Sequence, residues 1–240
     1  ERSRLVEEAA RTTARAETEA LRTALLTSLG HDLRTPLTSI RGAIDTLLVS
    51  GDAIDEAKRD DLLRTASEEA ARLTQYLGNI LDIVRIEHGE IVPRREPVDL
   101  ADALETAAAR AERATGRRIG RNITPGLPQP RLDPVLLDQV LGNLLDNALK
   151  FSSSESEAAV SATEDRGDVM IAIEDNGPGI ATEDLSRVFD PFFRATRTDS
   201  TTVGTGLGLA ICRGLVHAMG GRISVQSPAH RDRRGTRIVV

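Results

Sequence analysis

The 240-residue sequence predicts two parts, a helical hairpin that pairs with a second copy into a four-helix bundle, then an α/β sandwich. Three observations predict this. Leu21, Leu25, Leu29, Leu33, Leu37, Ile40, Ile44 and Leu48 recur at steps of three and four, the spacing of one buried helical face. A second stripe of the same kind runs Leu62, Leu63, Ala66, Ala70, Leu73, Leu77, Ile80, Leu81, Val84. Beyond the Pro93 to Pro97 break, the helical period gives way to short strand-like segments alternating with helical ones.

Taken in order, residues 1–20 are rich in Ala, Arg and Glu and read as an exposed lead-in helix. The first long helix ends near Val49, before Ser50-Gly51-Asp52, and the second closes at His88-Gly89 with glycine as its C-cap. Tyr76 reads as a packing residue and Asn79 as a surface one. A hairpin this narrow cannot hide both apolar stripes alone, so residues 21–92 are expected to form a homodimer. Residues 93–240 form the second domain. A short strand at Pro97-Val98 leads into a helix from Asp99 to Ala114, a strand from Arg118 to Thr124, and a turn rich in proline (Pro125, Pro128, Pro130). Asp133 caps a helix that runs to Phe151. Strands Ala158–Thr163 and Val169–Glu174 form a hairpin across Asp165-Arg166-Gly167. A loop region, a helix from Gly206 to Met219, and strands Arg222–Ser227 and Thr236–Val240 complete the chain.

Composition excludes several classes. The net charge is −6 and neither half has the basic excess that phosphate-backbone binding needs, so no nucleic-acid partner is expected. One tyrosine, four phenylalanines and no tryptophan are too few for a base-stacking platform. A single cysteine, Cys212, excludes an internal disulfide and a thiolate zinc site, and the four histidines have no metal-ligand spacing. No apolar run has the length of a membrane span and no signal peptide is visible. The chain therefore reads as a cytoplasmic fragment whose link to a membrane, if any, lies upstream.

His31 lies two positions from both Leu29 and Leu33, about 160–200° round the helix from the apolar stripe. Thr35 returns to the His31 face and Asp32 flanks it, so a base, a carboxylate and a hydroxyl share one exposed surface. Pro36 lacks an N–H and its ring crowds the Asp32 carbonyl, which predicts a bend below His31. A lone exposed histidine is by itself only a solvated side chain. The run His31-Asp32-Leu33-Arg34-Thr35-Pro36-Leu37, however, resembles the H box of two-component sensor histidine kinases. That resemblance implies His31 as the autophosphorylated residue, Asp32 as its acid/base partner, and Thr35 as the group that positions water for phosphatase activity.

Three stretches of the second domain carry chemistry. In Asn143-Leu144-Leu145-Asp146-Asn147-Ala148-Leu149-Lys150-Phe151, the two asparagines lie four apart on one helical face, with leucines and alanine covering the other. Two amides and a lysine can hold a hydrated Mg²⁺ and a polyphosphate, although such a pair on a helix is also an ordinary surface feature. Asp175-Asn176-Gly177-Pro178-Gly179-Ile180 follows an apolar strand: a carboxylate beside glycines suits a flat ligand with an exocyclic amine, and equally suits a plain turn. Gly204-Thr205-Gly206-Leu207-Gly208-Leu209-Ala210-Ile211 opens a helix, where free N–H groups attract phosphate. Its spacing is not that of a dinucleotide fold, and the chain has no Gly-Lys-Ser/Thr for a Walker loop.

In this order the three stretches resemble the N, G1 and G2 boxes of the ATP-binding domain of Bergerat (GHKL) type, shared by histidine kinases and gyrase-type ATPases. Phe189-Asp190-Pro191-Phe192-Phe193-Arg194 looks like the F box, and the segment from Ile180 to Gly204 like the lid. The resemblance implies ATP and Mg²⁺ as cofactors, with Asn147 as the metal ligand. It implies Asn143 and Lys150 near the phosphates, followed by Phe151, and Asp175 reading adenine with Gly177, Gly179 and Ile180 beside it. Arg194 and Arg197 would neutralise the γ-phosphate, and Gly204, Thr205, Gly206, Leu207 and Gly208 would hold the phosphates. It further implies transfer from His31 to an aspartate on a response-regulator receiver domain. Ala210 to Arg213 and the H-box setting look most like potassium-responsive sensor kinases. A gyrase-type ATP-hydrolysing clamp and a degenerate dimerisation scaffold are the competing readings. Asn143 stands where such hydrolases place a proton-accepting Glu, which disfavours the clamp.

Overall fold

A computed structural model of the chain describes Gly30 and residues 33–50, 54–152, 158–165, 167–194, 205–229 and 235–240. The chain divides into two compact units, Glu1–Gly78 and Asn79–Val240. The expected lead-in helix, His31, Asp32, Arg197 and Gly204 lie outside the described residues. So does the carbonyl of Asp32, on which the expected bend at Pro36 depends.

In the first unit, α1 (residues 33–50) stays helical around Pro36, with Pro36 and Ala43 buried and Thr35 exposed. α2 (Glu56–Glu87), whose residues from Asn79 onward belong to the second unit, begins where Asp55 Oδ1 accepts the Lys58 N–H at 2.7 Å. It ends at Gly89, whose φ of +66° suits a glycine and whose N–H donates to the Ile86 carbonyl at 3.1 Å. Tyr76 is buried as expected, whereas Asn79 is half-buried rather than on the surface. Leu37, Ile44 and Leu48 on α1 and Leu63, Leu77 and Leu81 on α2 remain exposed, Leu48 by 77%. Among the described residues, no helix is long and apolar enough to cross a membrane.

The second unit is an α/β sandwich. Its five-stranded sheet has the order β2-β4-β5-β7-β6, from strands β2 (Ile119–Ile123), β4 (Ala158–Asp165), β5 (Asp168–Asp175), β6 (Ser224–Gln226) and β7 (Thr236–Val239). β2 and β4 are parallel and all the other pairs are antiparallel. Helices α3 (Leu100–Thr115), α4 (Pro134–Phe151) and α5 (Gly208–Ala218) form the other layer. The core lies between the layers: Leu104, Leu137, Leu141, Leu144, Leu145, Ile211 and Leu215 from the helices meet Val160, Ala162, Ile171 and Ile173 from the strands. α4 is fixed at its start by Asp133. Oδ1 accepts the N–H groups of Val135 and Leu136, and Oδ2 accepts that of Arg94 at 2.8 Å. The Arg94 amide, with the two cap amides, holds the Asp133 carboxyl below its ordinary range.

Four expectations need correction. A two-residue strand β3 (Arg131–Leu132) sits between the proline-rich turn and Asp133, where no strand was expected; it pairs with the strand β1 (Glu96–Pro97), and only that pairing makes it a strand. The β4–β5 hairpin is longer than expected, because Glu164 and Asp165 continue the ladder to Val169 and Asp168 on largely solvent-exposed positions that carry little apolar signal. β6 is shorter, since only three of its residues find a partner on β7. α5 begins at Gly208 instead of Gly206, because Gly206 takes a left-handed φ of +68° that no helix residue adopts.

Candidate functional site

Three backbone ends of the second unit bring the expected side chains together. The first is the outer face of α4. Leu144, Leu145, Ala148 and Leu149 are buried, which leaves Asn143, Asn147 and Lys150 half-buried on the remaining face and Phe151 partly exposed at the end. The Nδ2 of Asn143 is buried with no hydrogen-bond partner among the described residues. Arg117 holds the last turn of α4 by donating from Nη1 to the Leu149 carbonyl.

The second is the start of α5. Its N-cap residue is Leu207, which is fully buried and supplies no capping oxygen, so the first-turn N–H groups of α5 receive no side-chain cap. The turn before it is locked. A β-carbon on Gly206 would lie 2.7 Å from the Phe192 carbonyl carbon and 2.8 Å from the Phe193 oxygen. The Phe192 N–H donates to the Gly206 carbonyl at 2.9 Å, and Phe192 itself has a φ of +63°, a strained value for a bulky residue. Thr205 Oγ1 accepts the Leu207 N–H at 3.3 Å. Gly208 then lies against Asn147: a β-carbon there would be 3.6 Å from Asn147 Nδ2. The sequence-distant α4 and α5 motifs therefore meet.

The third is the end of β5. Asp175 is buried, and its Oδ1 accepts the Gly177 N–H at 2.8 Å and the Thr236 N–H at 3.1 Å. Gly177 packs on the end of α4, where a β-carbon would lie 2.6 Å from the Phe151 carbonyl oxygen. Gly179 has a φ of +76°, and the Ile180 N–H donates to Ser227 Oγ at 2.8 Å. Between the second and third stretches, Arg187 stacks 4.7 Å from the Phe193 ring centre and Arg213 reaches Asp190 at 3.8 Å. Arg194 is exposed. Thr35 belongs to the other unit, on the exposed face of α1.

Sequence reasoning missed Thr236, Gly235 and Ser227. Gly235-Thr236 before an apolar strand signals a turn, but nothing local to it announces Asp175 as the partner, 61 residues away.

Residues 132–240 match the family described as histidine kinase-, DNA gyrase B-, and HSP90-like ATPase, and residues 21–89 match the His kinase A (phospho-acceptor) domain. The sensor protein KdpD of Clostridium acetobutylicum is 34% identical over 209 residues, covering 86% of this chain and 23% of that protein. The chain spans 23–41% of the length of the curated relatives it matches. Among solved structures, a mycobacterial sensor histidine kinase MprB is 31% identical with a TM-score of 0.52, over 60% of this chain and 94% of that one. Histidine kinase ThkA, solved in complex with the response regulator protein TrrA, shares the fold at 19% identity, with a TM-score of 0.66 over 90% of this chain and 59% of that one. With a phospho-acceptor match over the helical hairpin and an ATPase-domain match over the sandwich, the chain belongs to the sensor histidine kinase family.

Proposed function

We propose that the chain is the catalytic core of a sensor kinase that binds ATP in the second unit and moves the γ-phosphoryl group to His31. The observation that carries this reading is the meeting of Asn147 with the uncapped N-terminus of α5, together with the Asp175–Gly177 turn packed on the end of α4 at Phe151. Unsatisfied N–H groups at a helix start favour phosphate. An aspartate whose Oδ1 is already committed to two backbone amides is a fixed acceptor edge, which suits the exocyclic amine of adenine. Glycines at 177 and 179 leave the backbone bare for a flat base.

Mg²⁺ fits the donors present. Asn147 offers an amide oxygen, and Mg²⁺ takes few protein ligands when phosphates and water complete its shell. Bound there, the ion would neutralise phosphate charge. Asn143 and Lys150 share that face of α4, and Arg194 and Arg197 supply cationic charge from the segment between Phe193 and Gly204. The ring nitrogen of His31 attacks the γ-phosphorus in line, the bond from that phosphorus to the bridging β-phosphate oxygen breaks so that ADP leaves, and Asp32 accepts the imidazole proton. Catalysis is then mostly positioning and charge neutralisation. Imidazole is largely neutral near pH 7, as a nucleophile must be.

The exposed leucines of α1 and α2 support a homodimer in which two hairpins cover each other's stripes. An aspartate on a response-regulator receiver domain is the next acceptor, in keeping with the ThkA–TrrA complex, and Thr35 positions water for hydrolysis of the regulator's phosphoaspartate. The KdpD relatives favour that branch of the family. A core that draws on ATP would work on the cytoplasmic side.

Incubation with Mg²⁺ and γ-labelled ATP tests the reading. Acid-labile label on the protein, lost in His31→Gln while nucleotide affinity stays, is the expected result. Free phosphate without label would favour a hydrolysing clamp, and neither product a scaffold.

A further inference from the structure

We infer that Ser227 is a positioning residue for nucleotide recognition, the clasp that holds the Gly177–Ile180 turn at the end of β5. This inference rests on the nucleotide reading above. Ser227 follows β6 and is half-buried. Its hydroxyl accepts the Ile180 N–H at 2.8 Å and donates to the Gly235 carbonyl at 2.9 Å, so one oxygen joins two loops far apart in sequence. The turn rests directly on it: a β-carbon at Gly179 would be 3.0 Å from Ser227 Oγ and 3.4 Å from the Gly235 oxygen. From the same hairpin, the Gly235 N–H donates to the Gly177 carbonyl at 2.9 Å and the Thr236 N–H to Asp175 Oδ1 at 3.1 Å. Of these groups only the Ser227 hydroxyl belongs to a replaceable side chain outside Asp175. Its loss leaves the Ile180 N–H and the Gly235 carbonyl without that partner and releases the turn on which Asp175 closes through the Gly177 N–H.

The test compares wild type, Ser227→Ala, Ser227→Thr and the core control Val160→Ala in the full chain. Expected for Ser227→Ala is a rise of about tenfold in KM for ATP, with labelling at saturating ATP within about twofold of wild type. Preference for ATP over GTP narrows, and amide exchange at Gly177 and Ile180 quickens in the free protein. Ser227→Thr, which keeps the hydroxyl, restores much of the KM. Val160→Ala lowers stability but moves neither the nucleotide preference nor those two amides. Equal KM and unchanged exchange in Ser227→Ala, or changes that merely track the folded fraction as in Val160→Ala, would overturn the inference while wild type still binds ATP. A wild type that binds no adenine nucleotide overturns the nucleotide reading, and this inference with it.

Discussion

Gly208, the first residue of α5, faces the side-chain amide of Asn147 on α4 across a gap that a single methyl would fill, with the built β-carbon 3.6 Å from Nδ2. That is ordinary contact distance and the backbone there is helical, so Gly208→Ala is expected to fold with an unchanged thermal midpoint. On the proposed reading its methyl would occupy the space through which phosphate oxygens reach the α5 amides. Titration with Mg-ATP should show affinity at least about tenfold weaker. Wild-type affinity in this variant would remove the α5 start from the site.

Ile86, at the end of α2, fills the space above Gly214 on α5: a β-carbon at 214 would come within 2.5 Å of Ile86 Cγ2 and 2.6 Å of Cδ1. Beside it, Gln139 Nε2 donates to Asp82 Oδ2 at 2.5 Å. Gly214→Ala must displace Ile86 and is expected to cost about 1–3 kcal/mol in urea unfolding. Combined with Ile86→Ala, which makes room, the loss should be smaller than the sum of the two single losses. Strict additivity would show that Ile86 moves aside freely.

The Arg121 guanidinium grips Glu112 at 2.9 and 3.0 Å while the Ile119 N–H donates to the same carboxylate at 2.8 Å, and together they lower its pKa to about 2 from an ordinary 4.5. A lowered folded value means that the stabilisation is fully present above the unfolded pKa. It is lost as pH falls from 4.5 through about 2. Urea midpoints of wild type and Glu112→Gln should therefore differ at neutral pH and converge over that window. A gap that persists at pH 2 would assign it to packing.

Cys212 is fully buried on α5, and burial pushes its thiol up to about 12, with only a smaller opposing effect from Asn143. The folded protein should ignore a thiol reagent at mildly alkaline pH and react with one equivalent once denatured. Rapid reaction of the native chain would reveal an opening of the α4–α5 layer.

Thr35 lies on the exposed face of α1, four residues after His31. Thr35→Ala should leave autophosphorylation largely intact and slow dephosphorylation of the partner regulator severalfold. Unchanged phosphatase rates would take Thr35 out of that step.

Features whose chemistry is local were legible before any coordinates. Asp133 ahead of Pro134 announces a capped helix, and Gly89 after the second stripe announces its end. The four-residue spacing of Asn143 and Asn147 shows a shared face. Features that depend on partners far along the chain were not. Gly177 reads as a turn glycine, yet what excludes a side chain there is the carbonyl of Phe151, 26 positions earlier. β3 has no pattern of its own and exists through its ladder to β1. Ser227 gives no local sign that Ile180, 47 residues away, lies on its hydroxyl.

The β4–β5 hairpin carries Asp175 at one end and the Asp165–Asp168 tip at the other, about 25 Å apart at strand rise. Gly167 at that tip has open space around it. A dye or affinity peptide grafted there would report on the domain while staying clear of the ligand it watches, so the hairpin tip is where an assay for this protein is best tethered.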